Sequence, residues 1–296
     1  MSFIDDIRSA FSRRDNALNQ LLLLNRLVFV GLILYGAVTF LVTTARFAES
    51  QELILDWIAV PSEPMRLLTR PWTLLTYSFT HVDFFHILFN LLNIYWFGSL
   101  VREYLGDRKL VSLYVLGALA GAILYVLAFN LLPAFQGRPA ILYGASASVT
   151  AIIIAAATLL PDYTFSIIFI GPVKIKYIAA VVVLVSLAGL DGSNAGGQIA
   201  HLGGALLGFL YIKQLQQGRD LGTPVQAIGD WAGALLSGRP RLRVTRGGAA
   251  TATIKKGAMP KPEQNDIDTI LDKISRSGYE SLSKDEKQKL FRASQK

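Results

Sequence analysis

The sequence predicts an all-α fold, a polytopic membrane bundle of six transmembrane helices, on three observations. Hydrophobic residues make up 52% of the 296 residues and charged residues only 17%, a balance unlike that of a soluble globule. The apolar excess is concentrated between Leu21 and Ile212, where stretches such as Leu27 to Thr44 carry no charge at all. The short loops between such stretches also alternate between rich and poor in Lys and Arg.

Taken in order, the apolar segments run from Leu27 to Thr44, Phe84 to Val101, Leu110 to Phe135, Leu142 to Leu160, Val173 to Leu190 and Gln198 to Ile212. The residues before the first, Met1 to Gln20, include Asp5, Asp6, Arg8, Arg13, Arg14 and Asp15, and no small-residue cleavage site follows the first apolar run. No cleaved signal peptide is therefore expected. The fifth segment opens on Lys174 and Lys176, whose long stems let the ammonium groups reach the interface. The sixth is short for a crossing of about 20 residues, and local thinning of the bilayer accommodates such a helix. The domain plan is then a cytoplasmic segment at 1–20, the membrane domain at 21–215, an interfacial helix with a basic linker at 216–265, and a small helical cytoplasmic segment at 266–296. After Thr223-Pro224, the residues Val225, Ile228, Trp231, Leu235 and Leu236 fall at helical spacing, as suits a helix lying on a membrane surface. Arg239 to Asn265 is the basic linker. From Asp266 to Ser294 two small helices are expected, broken at Gly278, with Ser283 and Glu286 forming a capping box for the second.

Positive loops stay cytoplasmic. Arg8, Arg13, Arg14 and Arg26 mark the N-terminal end as inside, as do Arg102, Arg108 and Lys109 after the second segment and Lys174 and Lys176 after the fourth. Arg138 alone follows the third, and Asp191 to Gly197 carries no Lys or Arg, so these loops face outward. Both termini are expected in the cytoplasm, and the first turns of segments 2, 4 and 6 at one common depth. The net charge is +8, and from Lys213 onward sixteen Lys and Arg stand against nine Asp and Glu. A basic juxtamembrane tail facing anionic lipid explains this better than nucleic acid, which calls for aromatic platforms among the basic residues. The chain has no cysteine, which excludes disulfides, a thiol nucleophile and thiolate metal sites.

The three histidines, His81, His86 and His201, all fall at the starts of segments 2 and 6. His86 and Asn90 are four residues apart, about 40° around a helix, and therefore share a face; His81 belongs either to that helix, about 140° away, or to the preceding loop. His and Asn N–H groups suit a developing oxyanion, and equally suit polar pairing between helices. Segment 4 opens at Gly144-Ala145-Ser146, a helix N-terminus whose unpaired N–H groups and dipole favour negative charge. On chemistry alone Ser148 is an equally available hydroxyl. In segment 6, His201, Gly204 and Gly208 fall within about 60° of one another, and the glycines invite close approach to the small ridge of Ala147, Ala151 and Ala155. That contact would bring His201 within reach of Ser146, the requirement for activating a serine. An ionisable residue at membrane depth is costly and marks function.

His81-x4-His86-x3-Asn90, then Gly144-Ala145-Ser146-Ala147, then His201-x2-Gly204-x3-Gly208, in this order, resemble the rhomboid family of intramembrane serine proteases, over Arg70 to Ile212. The resemblance implies a Ser–His dyad, with Ser146 attacking the scissile carbonyl and His201 taking its proton. It implies an oxyanion site of His86, Asn90 and the Ser146 backbone N–H, and a supporting role for His81. It also implies that substrates are transmembrane segments of other membrane proteins, cleaved through an acyl-enzyme without metal or cofactor. Ala147 stands where the family often has Gly. Trp72-Thr73 stands where it often has Trp-Arg, which removes a cation from the Ala45 to Thr80 loop and with it an expected source of order. Asp83 and Asp191 are both on the expected side to serve His201 as acid partner. The compact six-span plan points to a bacterial inner membrane. The alternatives are a catalytically silent relative that binds membrane helices, or a transporter. No internal repeat favours a transporter, no His-Glu-x-x-His motif supports a metalloprotease, and no pair of aspartates in the spans supports an aspartyl protease.

Overall fold

The computed structural model describes residues 16–43, 47–167, 170–237, 264–277, 281–283 and 286, and the chain divides into two compact units, Met1–Pro240 and Arg241–Lys296. The arginines before Asn16, nearly all of the basic linker, the break at Gly278 and the chain beyond Glu286 lie outside the described residues.

The first unit begins with α1 (Ala17–Thr43), α2 (Phe47–Ile58), β1 (Val60–Pro61), α3 (Pro64–Thr69), α4 (Thr73–Thr76) and a 3₁₀ turn (Tyr77–Phe79). Then come α5 (Phe84–Leu105), α6 (Asp107–Leu131), β2 (Ile141–Leu142), α7 (Ser146–Leu159), and the hairpin β3 (Thr164–Ile167) and β4 (Gly171–Lys174). It closes with α8 (Ile175–Ala188), α9 (Ala195–Gln216) and α10 (Thr223–Ser237). Helices α1, α5, α6 and α9, of 27, 22, 25 and 22 residues, are long and apolar enough to cross a bilayer. α7 and α8 are apolar but have 14 residues each, about 21 Å of helix. This is a helical membrane bundle.

The element boundaries differ from the sequence reading for local reasons. The third segment stops as helix at Leu131, two residues before Pro133, which cannot continue a helix. Leu142, expected in the fourth span, is extended and pairs with Val60. Val173 and Lys174, expected to open the fifth, belong to the hairpin. The sixth is longer than expected because Asn194 caps it, its side chain accepting from Gly197 N at 3.3 Å.

α7 is the axis of the bundle: every residue from Ala147 to Ala157 is buried. Small residues let α6 and α9 approach it closely. A Cβ added to Gly204 or Gly208 of α9 would lie 2.1 Å from the Ala147 carbonyl oxygen or 2.2 Å from that of Ala151. A Cβ on Gly117 or Gly121 of α6 would fall 2.6 or 2.5 Å from the Ala151 or Ala147 methyl. Large apolar side chains such as Leu34, Val38 and Leu41 of α1 and Val181 and Leu184 of α8 face outward, as lipid contact requires. At one end of the bundle Ala17 N donates to Asp107 Oδ2 at 2.8 Å, and Lys109 pairs with Asp220. The start of α1, the start of α6 and the chain leaving α9 therefore meet there.

The loop carrying α2 to α4 is ordered without an arginine at position 73. Arg66 and Arg70 both pair with Asp56, the Arg70 guanidinium lies 4.3 Å over the Trp57 ring, and Trp57 and Trp72 stack. Trp72 Nε1 donates to Trp57 O at 2.8 Å, and Thr73, fully buried, donates through Oγ1 to Arg70 O. The cation whose loss was expected to loosen this loop is supplied by Arg70 and Arg66.

In the second unit, α11 (Gln264–Ser277) is followed by the expected capping box. Ser283 N donates to Glu286 Oε2 at 2.7 Å and Glu286 N to Ser283 Oγ at 3.3 Å, while Lys273 pairs with Glu286.

Candidate functional site

The first turns of α5, α7 and α9 open on one cavity of about 900 Å³, lined by His86, Asn90, Ser146, Ser186, Gln198 and His201 among others. Segments 2, 4 and 6 thus meet at one cavity.

Ser146 begins α7, after a turn that is held on both sides. Gly144 N donates to Tyr77 O at 2.9 Å, and Tyr77 is itself fixed by its hydroxyl donating to Ala118 O at 2.7 Å. Gly144 adopts φ +117°, a conformation open to glycine, and a Cβ there would lie 2.6 Å from His86 Cε1. The His86 ring thus packs directly on the backbone that leads into Ser146. β1 adds a second restraint, pairing the long first loop with Ile141 and Leu142 just upstream.

The two hydroxyls left open by the sequence separate clearly. Ser148 is fully buried and donates to Tyr114 O at 2.7 Å, whereas Ser146 is half-buried on the cavity wall. The three imidazoles separate as well. His81 lies in the loop before α5, with Nδ1 3.4 Å from Phe79 O and Nε2 3.3 Å from Ala145 N. A carbonyl can only accept and an N–H only donate, so Nδ1 carries the proton and both ring nitrogens are occupied by backbone. His81 therefore braces the turn before Ser146. His86 and His201 both reach the cavity.

Asn90 shares the face of His86, as its spacing implies, and its amide donates one hydrogen to His86 O at 2.8 Å. An amide nitrogen has two hydrogens, and the second remains for the cavity. His201 and Ser146 share the cavity, but no hydrogen bond joins them among the described residues. Such contacts are often loose without substrate and tighten when it binds. Gly204 and Gly208 hold α9 against α7 and so fix the approach of His201 to Ser146.

Neither candidate acid meets His201. Asp83 caps α5, accepting from His86 N at 2.8 Å, and Asp191 lines a separate cavity beside Tyr125 and Phe129. The polar atom at His201 is instead Ser186 Oγ of α8, 3.3 Å from Nδ1. Its only signal in the sequence is a lone hydroxyl in the run from Val181 to Ala188. Gln198, one turn before His201, carries no such signal in the sequence; its Oε1 is buried and unpartnered among the described residues.

A family model described as the Rhomboid domain matches residues 68–217, and a model of a family of unknown function matches residues 261–296. Among curated proteins, the chain is 31% identical to RHOMBOID-like protein 12, mitochondrial, of Arabidopsis thaliana over 50% of this chain and 47% of the relative. It is 29% identical to presenilin-associated rhomboid-like protein A, mitochondrial, of Danio rerio over 49% and 37%. It is 35% identical to rhomboid protease GlpG of Salmonella newport over 27% and 28%. The chain thus matches less than half the length of each of these relatives. With the Rhomboid domain model covering half of the sequence and the cavity built from the helices within it, this multi-pass membrane protein belongs to the rhomboid family.

Proposed function

We propose that the protein is an intramembrane serine endopeptidase that cleaves transmembrane segments of other membrane proteins, with Ser146 as nucleophile and His201 as base. The observation that carries this reading is the sharing of one cavity by Ser146, His201, His86 and Asn90 while Ser148 is turned away and hydrogen-bonded. Ser146 Oγ attacks the scissile carbonyl carbon as its proton passes to His201. The oxyanion faces the free Asn90 N–H, the His86 imidazole and the Ser146 backbone N–H at the N-terminus of α7, where the helix dipole adds to the hydrogen bonds. His201 then returns the proton to the leaving amine, and water hydrolyses the acyl-enzyme.

The length of α7 supports a site within the bilayer. About 21 Å of helix cannot span a core of roughly 30 Å, so a helix with its C-terminal end at one interface leaves Ser146 short of the other. The six apolar helices are read as six spans with both termini cytoplasmic, in a bacterial inner membrane. The exposed Ile228, Trp231 and Leu235 of α10 lie on the lipid surface, and the basic tail contacts anionic headgroups.

The test is cleavage of a single-span model substrate by purified protein in liposomes, comparing wild type with Ser146→Ala, Ser148→Ala and His201→Ala. Loss at Ser146 and His201 with activity kept at Ser148 is the expected pattern. A wild type that cleaves no substrate in a panel and is never labelled by a mechanism-based serine probe would instead favour a silent helix-binding relative.

A further inference from the structure

We infer that Ser186 is a positioning residue that fixes the tautomer and orientation of His201, in the place where serine hydrolases commonly use a carboxylate. Ser186 is 2% exposed and makes two contacts: its Oγ lies 2.9 Å from Val182 O, one turn back in α8, and 3.3 Å from His201 Nδ1. A carbonyl oxygen offers no hydrogen, so the single hydroxyl proton goes to Val182 O. The oxygen is then left with lone pairs only, and the His201 contact must be Nδ1–H donating to Ser186. Of the two ring nitrogens this leaves Nε2 unprotonated, which is the form a base needs in order to accept a proton from serine. Among the described residues no carboxylate bonds to His201: Asp83 is engaged at the start of α5, Asp191 lines a different cavity, and Glu52 lines the same cavity but the Nδ1 partner is Ser186.

The inference rests on His201 being the base, and its test separates the two. Because the chain has only three histidines, 15N spectra of histidine-labelled protein in detergent resolve the tautomer of each, assigned with His81→Asn, His86→Asn and His201→Asn variants. Wild-type His201 is expected to carry its proton on Nδ1, and Ser186→Ala and Ser186→Val to shift it toward Nε2. Ser186→Thr keeps the hydroxyl and its i−4 bond on a side chain of the shape of Val, and is expected to preserve both tautomer and rate. In the cleavage assay Ser186→Val should lower kcat roughly three- to tenfold with little change in KM, the factor that one ordinary neutral hydrogen bond supports. A wild-type His201 protonated on Nε2, or Ser186→Val matching wild type in both tautomer and kcat while His201→Ala is dead, overturns the positioning role alone. If His201→Ala retains activity, the dyad itself falls, and the spectra still decide the hydrogen bond.

Discussion

At Gly204 the structure leaves no room for even one carbon atom. The sequence showed two glycines four residues apart on the face that carries His201, and a row of alanines opposite; both periodicities are local and legible. What it could not show is how hard the surfaces press. A Cβ at Gly204 would be 2.1 Å from the Ala147 carbonyl oxygen, which is backbone in a buried helix and has no rotamer by which to retreat. Gly204→Ala must therefore push α9 from α7, at a cost of about 3 kcal/mol or more, and carry His201 away from Ser146. Gly31→Ala on α1 meets nothing within 4 Å and should change stability by no more than about 1 kcal/mol. Thermal unfolding in detergent beside the cleavage assay compares them; a Gly204→Ala protein as stable and active as wild type would mean the contact is not limiting. The same scale explains why Ser186 is not legible in the sequence. His201 and Ser146 stand at helix starts and beside glycines, whereas a serine within an apolar helix satisfies itself on the i−4 carbonyl and looks like any other.

The sequence leaves hidden the pairing across long separations, and also the short hairpin of β3 and β4. Spans announce themselves by composition, but β1 and β2 are two residues each and join Val60 to Leu142, a contact without any local pattern. The first loop shows the same limit, because the loss of a cation at position 73 was visible while its replacement by Arg70 and Arg66 on Asp56 depends on the fold of α2 to α4. That cluster gives the loop a pH dependence. Hydrogen bonding from Arg70 outweighs the opposing effect of burial and, with the charge of Arg66, holds the Asp56 carboxyl below its ordinary value of 3.8. A depressed carboxylate stabilises the folded loop at pH values above the ordinary value, and the contribution is lost as pH falls through the lowered one. The expected outcome is faster amide exchange across Phe47–Thr69 in detergent as pH is taken from 5 to below 3, after correction for intrinsic rates. Asp56→Asn should show the faster exchange already at pH 5 and little further change. Equal pH responses in the two proteins would remove Asp56 as the cause.

At the scale of the membrane unit, the loop charges lead to an expected orientation, and the packing of helix ends shows which ends lie together. Arginines and lysines in the short loops mark one side of the bundle independently of any contact. The structure brings the start of α1 to Asp107 and the exit of α9 to Lys109, so chain entry and exit share an end whatever membrane surrounds them. The starts of α5, α7 and α9 share the cavity, and α5 and α9 then run from that level to the end where Lys109 lies. If the shared end is cytoplasmic, the Gln136 and Ser193 loops face outward, and Thr164 and Gln217 inward. The absence of cysteine makes this measurable without any background substitution. Single cysteines at these four positions, exposed in each case, should divide cleanly in intact bacterial cells or spheroplasts expressing the protein. A membrane-impermeant maleimide is expected to label Gln136→Cys and Ser193→Cys from outside, and Thr164→Cys and Gln217→Cys only after permeabilisation. The inverse pattern would turn the bundle over and place the Ser146 cavity toward the cytoplasm. Outside labelling of Gln217→Cys together with Ser193→Cys would mean that α9 does not cross.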